Sequence, residues 1–219
     1  MASRKPGWIN MLSDPLLPIR SAEHLMVMPA SARRWTVDEV RQMQDEERAS
    51  PRYELIDGEL LVTPSPRPLH QLAVAHLLLA LHPYVERQKI GATLCAPADI
   101  ELLPGTIVQP DVFVLPLIDG QFPLEWHATR SLLLAVEVLS PSSMRADRVT
   151  KRRFFARVAV AEYWVVDLDA RIVERTRTGE ERPEILDRTI EWQPAGASEP
   201  LVLDLAAFFA RVHRQREES

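Results

Sequence analysis

The chain has 219 residues, of which 46% are hydrophobic and 26% charged, and its formal net charge is -5 at pH 7. This balance excludes a disordered or fibrous chain, and the length favours one domain with tails over two full domains. The single cysteine, Cys95, excludes an internal disulfide and a cysteine-rich zinc site. The net negative charge argues against a protein whose whole surface binds nucleic acid, so any phosphate-bearing partner must bind to a local basic patch.

The pattern along the chain predicts three parts. Residues 1–34 mix prolines with polar residues without a sustained period and are predicted to be an N-terminal extension. Residues 35–213 form the predicted domain, and residues 214–219 a short tail. No apolar run approaches the roughly 20 residues needed to cross a bilayer, and no signal-peptide apolar region is present. We therefore expect a cytoplasmic protein with no membrane partner.

Four helices are predicted. The clearest start is Thr36, because Glu39 follows it at the spacing of a capping box. Serines at 140, 142 and 143 can cap a later helix, and Asp204 can cap the last one. The predicted helices cover residues 36–48, 69–88, from about 144 to 158, and 205–213.

The predicted strands lie between these helices. Asp57-Gly58 favours a tight turn between two short strand-like runs. Residues 107–115 and 132–139 are apolar almost throughout, which is typical of strands buried on both faces. Residues 116–130 are predicted to be an excursion loop. The predicted strands cover residues 52–56, 59–62, 92–102, 107–115, 132–139, 162–167 and 171–177. This order indicates an α/β or α+β fold with a mixed sheet.

Two acids interrupt these apolar strands: Asp111 and Glu137. Burying a carboxylate costs several kcal/mol, on the order of 3 or more, unless the group is paired or coordinates a metal. If the two strands are neighbours, both carboxylates can hold a hard cation such as Mg²⁺, which prefers oxygen ligands and can activate a water. The simpler alternative is that Asp111 only begins a strand after Pro110 and that Glu137 pairs with an arginine.

Residues 144–157 form a basic segment, with six Lys or Arg side chains and one acid, Asp147. In a chain of net negative charge this segment is a local surface that attracts anions. The alternative is an ordinary solvated helix face. We expect the segment to guide a phosphate backbone, because it follows directly on the strand that carries Glu137.

Several short motifs now occur in the order and spacing of a known nuclease family. The chain resembles the Uma2-type restriction endonucleases, a branch of the PD-(D/E)XK nuclease superfamily, from about residue 53 to residue 167. Taken singly the motifs are weak, whereas their order is fairly specific. They are Tyr53-Glu54-Leu55-Ile56-Asp57-Gly58-Glu59-Leu60, His70, Pro110-Asp111, Glu137-Val138-Leu139-Ser140-Pro141-Ser142, Asp147, Lys151 and Glu162-Tyr163-Trp164-Val165-Val166-Asp167.

The resemblance implies a restriction-endonuclease-like fold, with a mixed central sheet flanked by helices, and Mg²⁺-dependent hydrolysis of DNA with Mn²⁺ as a substitute. It implies Asp111 and Glu137 as metal ligands, the backbone carbonyl of Val138 as a third ligand, and Glu54 as an outlying catalytic acid. It also implies a homodimer, for which the apolar residues 201–209 offer an interface.

The sequence departs from the superfamily pattern at Leu139, where a lysine is expected two residues after the acid. We expect Lys151, on the following helix, to replace that lysine, to orient the attacking water and to stabilise charge on the phosphorane oxygens. Asp147, four residues earlier, lies on the same helical face and can hold the ammonium. The alternative for this pair is an ordinary surface contact. The residues expected at the substrate are His70, Asp147, Arg148 and Arg152.

Two other classes of function stay open. The first is a catalytically inactive nuclease-fold module that binds nucleic acid or protein, motivated by Leu139 and by the acidic net charge. The second, glycoside hydrolysis by an acid pair, is disfavoured by the shortage of cleft aromatics. Tyr163 and Trp164 are predicted to be core or interface residues rather than a base-stacking platform. No motif indicates a serine hydrolase or a nucleoside triphosphatase.

Overall fold

The computed structural model describes residues 33–46, 51–118, 120–123, 125–126, 129–158 and 160–213. Helices and strands are mixed along the chain, as expected. In order, the elements are α1 Val37–Glu46, β1 Arg52–Ile56, β2 Glu59–Thr63, α2 Pro68–Gln88, β3 Gly91–Cys95, β4 Val112–Pro116, β5 Leu134–Val138, a π-helix Ala146–Lys151, α3 Arg152–Arg157, β6 Glu162–Asp167, β7 Ile172–Arg177, β8 Glu184–Leu186, β9 Thr189–Trp192, β10 Leu201–Asp204 and α4 Leu205–His213.

Six strands form the central sheet in the order β3, β4, β5, β6, β7, β8. Strands β5 and β6 run parallel, and the other neighbouring pairs run antiparallel. Parallel neighbours need a crossover connection, and the π-helix and α3 lie in it. The hairpins β1–β2 and β9–β10 pair outside this sheet. The predicted mixed α/β architecture is confirmed.

The two faces of the sheet pack against different helices. On one face α2 packs Leu77 into the same core cluster as Val136 of β5. On the other face α3 contributes Phe155, which belongs to a cluster with Ala135 of β5. Side chains alternate between the faces of a strand, so Glu137 of β5 shares the face of Ala135. The acid therefore lies beneath the crossover helices.

The long helix α2 is placed by its ends and by its apolar spacing. Pro68 stands at the start, where a missing N–H removes no helical hydrogen bond. Ala73, Leu77 and Leu81 recur every four residues and are at most 1% exposed. After the last turn Lys89 adopts a left-handed conformation with φ 54°, which ends the helix. This placement puts His70 in the first turn, next to the start of β4.

Helix α1 begins as the capping-box spacing predicts. The backbone N–H of Glu39 donates to Thr36 Oγ1 at 3.3 Å, and the N–H of Thr36 donates to Glu39 Oε2 at 2.9 Å. The described helix ends at Glu46, and residues 47–50 lie outside the described residues. The predicted extension falls outside them too, except for residues 33 and 34, as does the predicted tail. None of the described helices has the length and apolar character needed to cross a membrane.

Two of the predicted strands are too long. The strand predicted at 92–102 ends at Cys95, and the one predicted at 107–115 begins only at Val112. Pro97 and Pro110 lack the N–H that a sheet ladder requires. Between them the chain makes isolated bridges instead, Ile100 with Val108 and Leu55 with Ile107. Strands β8, β9 and β10 were not predicted.

The apolar segment 201–209 is mostly part of the core. Leu205, Phe208 and Phe209 of α4 are at most 4% exposed and pack in the cluster that contains α2. The expectation that this segment supplies a dimer interface is therefore wrong for these three residues, because their surface is already covered within the chain. In the same segment Val202 is 58% exposed.

Candidate active site

The two acids singled out in the sequence lie side by side at neighbouring strands of the central sheet, Glu137 within β5 and Asp111 just before β4. Strands β4 and β5 pair antiparallel with Val112 opposite Val136. Asp111 directly precedes β4, so the same register continued by one residue brings it opposite Glu137 of β5. A backbone contact joins them as well, since the N–H of Val138 donates to Asp111 Oδ2 at 2.9 Å. Both carboxylates are at most 4% exposed.

Asp111 is surrounded by donors. Arg52 Nη2 lies 2.9 Å from its Oδ1, and His70 Nε2 lies 3.0 Å from its Oδ2, the oxygen that also accepts from Val138. Burial alone raises the pKa of Asp111, but the hydrogen bond and charge of His70 and the charge of Arg52 outweigh it and hold the pKa well below its ordinary value. This side chain is therefore ionised at neutral pH.

Lys151 lies among three carboxylates. Its Nζ is 2.6 Å from Glu54 Oε2, 2.9 Å from Glu137 Oε1 and 3.4 Å from Asp147 Oδ1. Burial lowers the pKa of Lys151, yet the charges of Glu137, Glu54 and Asp147 more than reverse that effect and raise it well above its ordinary value. Lys151 is 3% exposed, and its ammonium stays protonated at neutral pH.

The acids around Lys151 outnumber the positive charge there. Burial raises the pKa of Glu137 well above its ordinary value, and the charges of Asp111, Asp147 and Glu54 add to that effect against the opposing charge of Lys151. Burial likewise raises the pKa of Asp147. Four buried acids share the cations of Arg52 and Lys151, so the acids outnumber these two cations by two.

The π-helix in the connection between β5 and β6 explains how Lys151, a helix residue, reaches the central sheet. Asp147 and Lys151 belong to the π-helix Ala146–Lys151, and both point away from solvent, with 1% and 3% exposure. Tyr163 of β6 donates its hydroxyl to the backbone oxygen of Asp147 at 3.0 Å. Short π-helical segments frequently occur at functional sites. The Asp147–Lys151 contact is thus a buried one, and not an ordinary surface pair.

Sequence reasoning missed three residues that hold the acids. Arg52 forms the ion pair with Asp111, the backbone N–H of Gln109 donates to Glu54 Oε1 at 2.7 Å, and Tyr163 fixes the π-helix. Arg52 stands two residues before Glu54 on β1, and residues two apart on a strand share a face. That spacing was the signal that could have identified it.

The basic segment is less basic at its surface than its composition indicates. Lys151 is buried among carboxylates, and Arg148 donates its Nη2 to Asp167 Oδ2 at 2.7 Å and forms a second ion pair with Glu174. Arg157 pairs with Asp57 at 2.8 Å. The remaining basic residues of the segment are Arg145 and Arg153, which are exposed, and Arg152, which is half-buried.

The residues expected at the substrate fall into two groups. His70 and Asp147 line a cavity of about 250 Å³ together with Asp111, Glu137, Val138 and Lys151. Arg148 and Arg152 do not line this cavity, which we call the site cavity. Arg148 is directed to β6 and β7 by its two acidic partners. Val138 contacts Asp111 through its backbone N–H.

The donor atoms of the site cavity suit a divalent metal ion chemically. Asp111 and Glu137 both line it and offer carboxylate oxygens in a cluster where acids outnumber cations. Among the described residues, no three His, Cys, Asp or Glu side chains are arranged to hold one ion. Asp111 and Glu137 are therefore the candidate ligands, as a pair of carboxylates. Mg²⁺ commonly takes one or two protein carboxylates and keeps several waters.

Comparison with solved structures identifies the class of fold. A crystal structure described as a putative nuclease belonging to DUF820 from Anabaena variabilis ATCC 29413 is similar, with a TM-score of 0.58 and 20% sequence identity. The similarity covers 77% of this chain and 97% of that chain. The chain therefore has the fold of that nuclease-like protein, and the fold expected from the motifs is confirmed.

Comparison with protein families identifies the family. The family model Uma2, described as "Putative restriction endonuclease", matches residues 37–207. The match spans well over half of the chain, so the chain belongs to the Uma2 family, as its motifs indicated. None of the curated proteins compared matches it.

Proposed function

We propose that this protein is a Mg²⁺-dependent endonuclease that hydrolyses phosphodiester bonds of DNA. The observation that carries the proposal is the Lys151 ammonium, which lies 2.9 Å from Glu137 in the cavity that Asp111 also lines. Lys151 comes from the crossover helix although Leu139 occupies the usual lysine position. The family description, restriction endonuclease, supports the same reaction class.

In this proposal each side chain has a separate task. Asp111 and Glu137, with the carbonyl of Val138, hold the metal ion, which supplies an activated water and neutralises phosphoryl charge when bound. Lys151 donates hydrogen bonds to the attacking water and to the oxygens that gain charge. Its raised pKa keeps it protonated, so Lys151 does not act as the general base. Glu54 keeps the ammonium in place from the side of β1, at 2.6 Å.

In this proposal fewer basic residues contact the DNA backbone than the composition of residues 144–157 indicated. Because Arg148 and Arg157 are already paired with acids, residues 144–157 leave only Arg145, Arg152 and Arg153 for the phosphate backbone. A few arginines give weak, salt-dependent binding. We therefore expect modest affinity for DNA, with a loss of binding on added salt that is shallow because few phosphates are contacted.

We also propose that two copies of the chain act together on duplex DNA, because cutting both strands at one place takes two sites. The support is the family description alone. Sedimentation analysis in the presence of a duplex, with the ratio of linear to nicked plasmid product, tests this. A monomer that only nicks would contradict the dimer but not the hydrolysis.

The test of the activity is cleavage of supercoiled plasmid in Mg²⁺ by the purified protein and by its Asp111→Ala and Glu137→Ala variants. We expect relaxed or linear DNA with the wild type and a loss of at least about 100-fold in either variant. Glu59→Ala, which removes an exposed carboxylate of β2 outside the site cavity, is the matched control. Equal activity in all four proteins would end the assignment, since a contaminating nuclease would explain it.

One observation favours a second candidate, a nuclease-fold module without catalytic activity. Both oxygens of Asp111 already have partners, namely Arg52, His70 and the N–H of Val138. A carboxylate held in this way needs no metal. The test uses the wild-type protein in Mg²⁺ or Mn²⁺, at a salt concentration where it binds DNA. Binding without cleavage would favour this module over the enzyme.

A further inference from the structure

A second and larger cavity adjoins the site cavity. Its volume is about 500 Å³, against about 250 Å³ for the site cavity. Arg52, His70 and Asp111 line both, so the two cavities share one layer of side chains. A ligand whose phosphate lies in the site cavity can therefore place its next chemical group in the larger one. We call this larger space the side cavity.

The walls of the side cavity combine apolar and polar side chains. Proline rings and small side chains form part of them, including Pro64, Pro97 and Ala98. Trp126 forms another part, with its ring packed edge-on against Phe113 at 6.0 Å between centroids and 73° between planes. Trp126 is 38% exposed, so part of its ring is uncovered by the chain. Apolar walls with an aromatic ring suit a planar organic ligand.

A polar group of three side chains completes the lining. Asp99 Oδ1 accepts hydrogen bonds from Gln44 Nε2 at 3.1 Å and from Gln109 Nε2 at 2.7 Å, which fixes the carboxylate. Gln109 Oε1 is buried, and no described residue donates to it. Buried polar atoms normally have partners, so this amide oxygen is an exception among the described residues, although it lies behind the cavity wall rather than on it. Amide and carboxylate groups are also the side chains that pair with the edges of nucleobases.

We propose that the side cavity binds the nucleobase of the nucleotide next to the scissile phosphate. The inference rests on the proposed function, because it takes the site cavity to hold that phosphate. A base within a duplex is stacked and paired, and cannot enter a pocket of the protein without leaving the helix. The nucleotide next to the cut must therefore be unpaired, or be extruded from the duplex, when its base occupies the side cavity.

The first experiment measures binding without cleavage. Fluorescence anisotropy in Ca²⁺ compares a short single-stranded oligonucleotide with an oligonucleotide of equal length and charge that carries abasic spacers. We expect the wild type to prefer the base-bearing strand about fivefold or more, as stacking on one aromatic ring provides. Trp126→Ala should lose this preference, whereas Phe122→Ala, which truncates a 48% exposed aromatic outside both cavities, should keep it. Equal binding of the two strands by the wild type overturns the inference.

The second experiment blocks the side cavity chemically. Cys95 is the only cysteine of the chain, is exposed, and lines the side cavity but not the site cavity. Alkylation with a bulky maleimide should abolish the preference for the base-bearing strand. Cys95→Ser, which has no thiol, controls for the reagent, and its preference should not change on treatment. An unchanged preference in the alkylated wild type would overturn the inference.

The proposed activity is judged separately. Hydrolysis of methyl p-nitrophenyl phosphate, which has no nucleobase, reports on the site cavity and should persist after Cys95 is alkylated. If the untreated protein hydrolyses neither this ester nor DNA, the proposed function fails. The binding preference measured in Ca²⁺ still decides the base pocket in that case.

Discussion

Asp111, just before β4, and Glu137, on the neighbouring strand β5, are both buried, yet their surroundings differ in charge. Asp111 has an arginine, a histidine and a backbone N–H as partners, and its pKa is held below the ordinary value. Glu137 shares one ammonium, that of Lys151, with two other acids, and its pKa is raised well above the ordinary value. The charge of Asp111 is balanced by donors of the chain, whereas the acids around Glu137 outnumber the one ammonium beside them.

This difference indicates where a cation would stabilise the folded state. A buried carboxylate with sufficient donors is stable by itself, whereas an excess of buried negative charge disfavours the folded state until a proton or a cation neutralises it. We therefore expect the Glu137 half, with Glu54, Asp147 and Lys151, to show the strongest dependence on metal and pH. The Asp111 half should depend on its two side-chain donors, His70 and Arg52.

Removal of the only cation in the Glu137 half should have the largest effect. Lys151→Met leaves three buried carboxylates without their ammonium, and we expect a loss of about 3–5 kcal/mol in the free energy of unfolding. Chemical denaturation measures this. Arg153→Met, on the exposed side of α3, should change stability by no more than about 0.5 kcal/mol. Equal effects in the two variants would contradict the ion cluster.

Neutralising Glu137 should separate activity from stability. Glu137→Gln removes one excess charge but keeps the shape, so activity should fall about 100-fold. In metal-free buffer at neutral pH the free energy of unfolding should rise, by about 1 kcal/mol or more. Glu59→Gln on β2, which is exposed, should change neither. A clear loss of stability in Glu137→Gln would mean that Glu137 is fully compensated by Lys151.

The wild type and Glu137→Gln should also differ in how the free energy of unfolding depends on pH. The raised pKa means that folded Glu137 keeps its proton to a higher pH than unfolded Glu137. Between these two pKa values the folded state binds more protons, so the free energy of unfolding of the wild type falls as pH rises. Glu137→Gln lacks this loss. We expect its advantage in metal-free thermal unfolding to appear above about pH 4 and to widen with pH.

The Asp111 half should respond in the opposite direction. The lowered pKa of Asp111 contributes stability that is present above the ordinary carboxyl pKa and is lost as pH falls toward the lower folded value. Arg52→Gln weakens this contribution and should cost about 1–3 kcal/mol at neutral pH. Its unfolding free energy should then fall less steeply than that of the wild type in acid. Parallel acid profiles for the two proteins would exclude the Arg52–Asp111 pair as the cause.

The smallest effect is expected outside both halves, at Arg148. Its partners Asp167 and Glu174 lie on β6 and β7, and its side chain is 27% exposed. Arg148→Gln should cost about 1 kcal/mol in stability, with plasmid cleavage changed less than twofold. A large loss of DNA affinity at unchanged stability would instead assign Arg148 to the substrate.

Most of the central sheet could be predicted because its strands are apolar runs with few interruptions. Strands β5 and β6 were located within two residues, and the two acids within the apolar pattern marked the site. The ends of β3 and β4 were missed because the prolines at 97 and 110 act through hydrogen bonds that the apolar pattern does not report. Strands β8 and β10 carry few buried residues, so burial left little signal in them.

The candidate site was predictable only in part. The position of Lys151 followed from the resemblance and from helical spacing, and the structure places it beside Glu137. The role of Arg52 depends on how the β1–β2 hairpin lies against the start of β4, a contact between residues far apart in the chain. The net charge of residues 144–157 was misleading, because their acidic partners Asp57, Asp167 and Glu174 lie on other elements.

We propose that a divalent cation neutralises the cluster of acids around Glu137. Calorimetric titration of metal-free protein with Mn²⁺ near neutral pH tests it directly, with Glu137→Gln and Asp111→Asn as comparisons. We predict saturable binding to the wild type, accompanied by release of protons from the acid cluster, and its loss in both variants. Absence of Mn²⁺ binding to a folded wild-type protein, or equal binding by all three, would contradict the account.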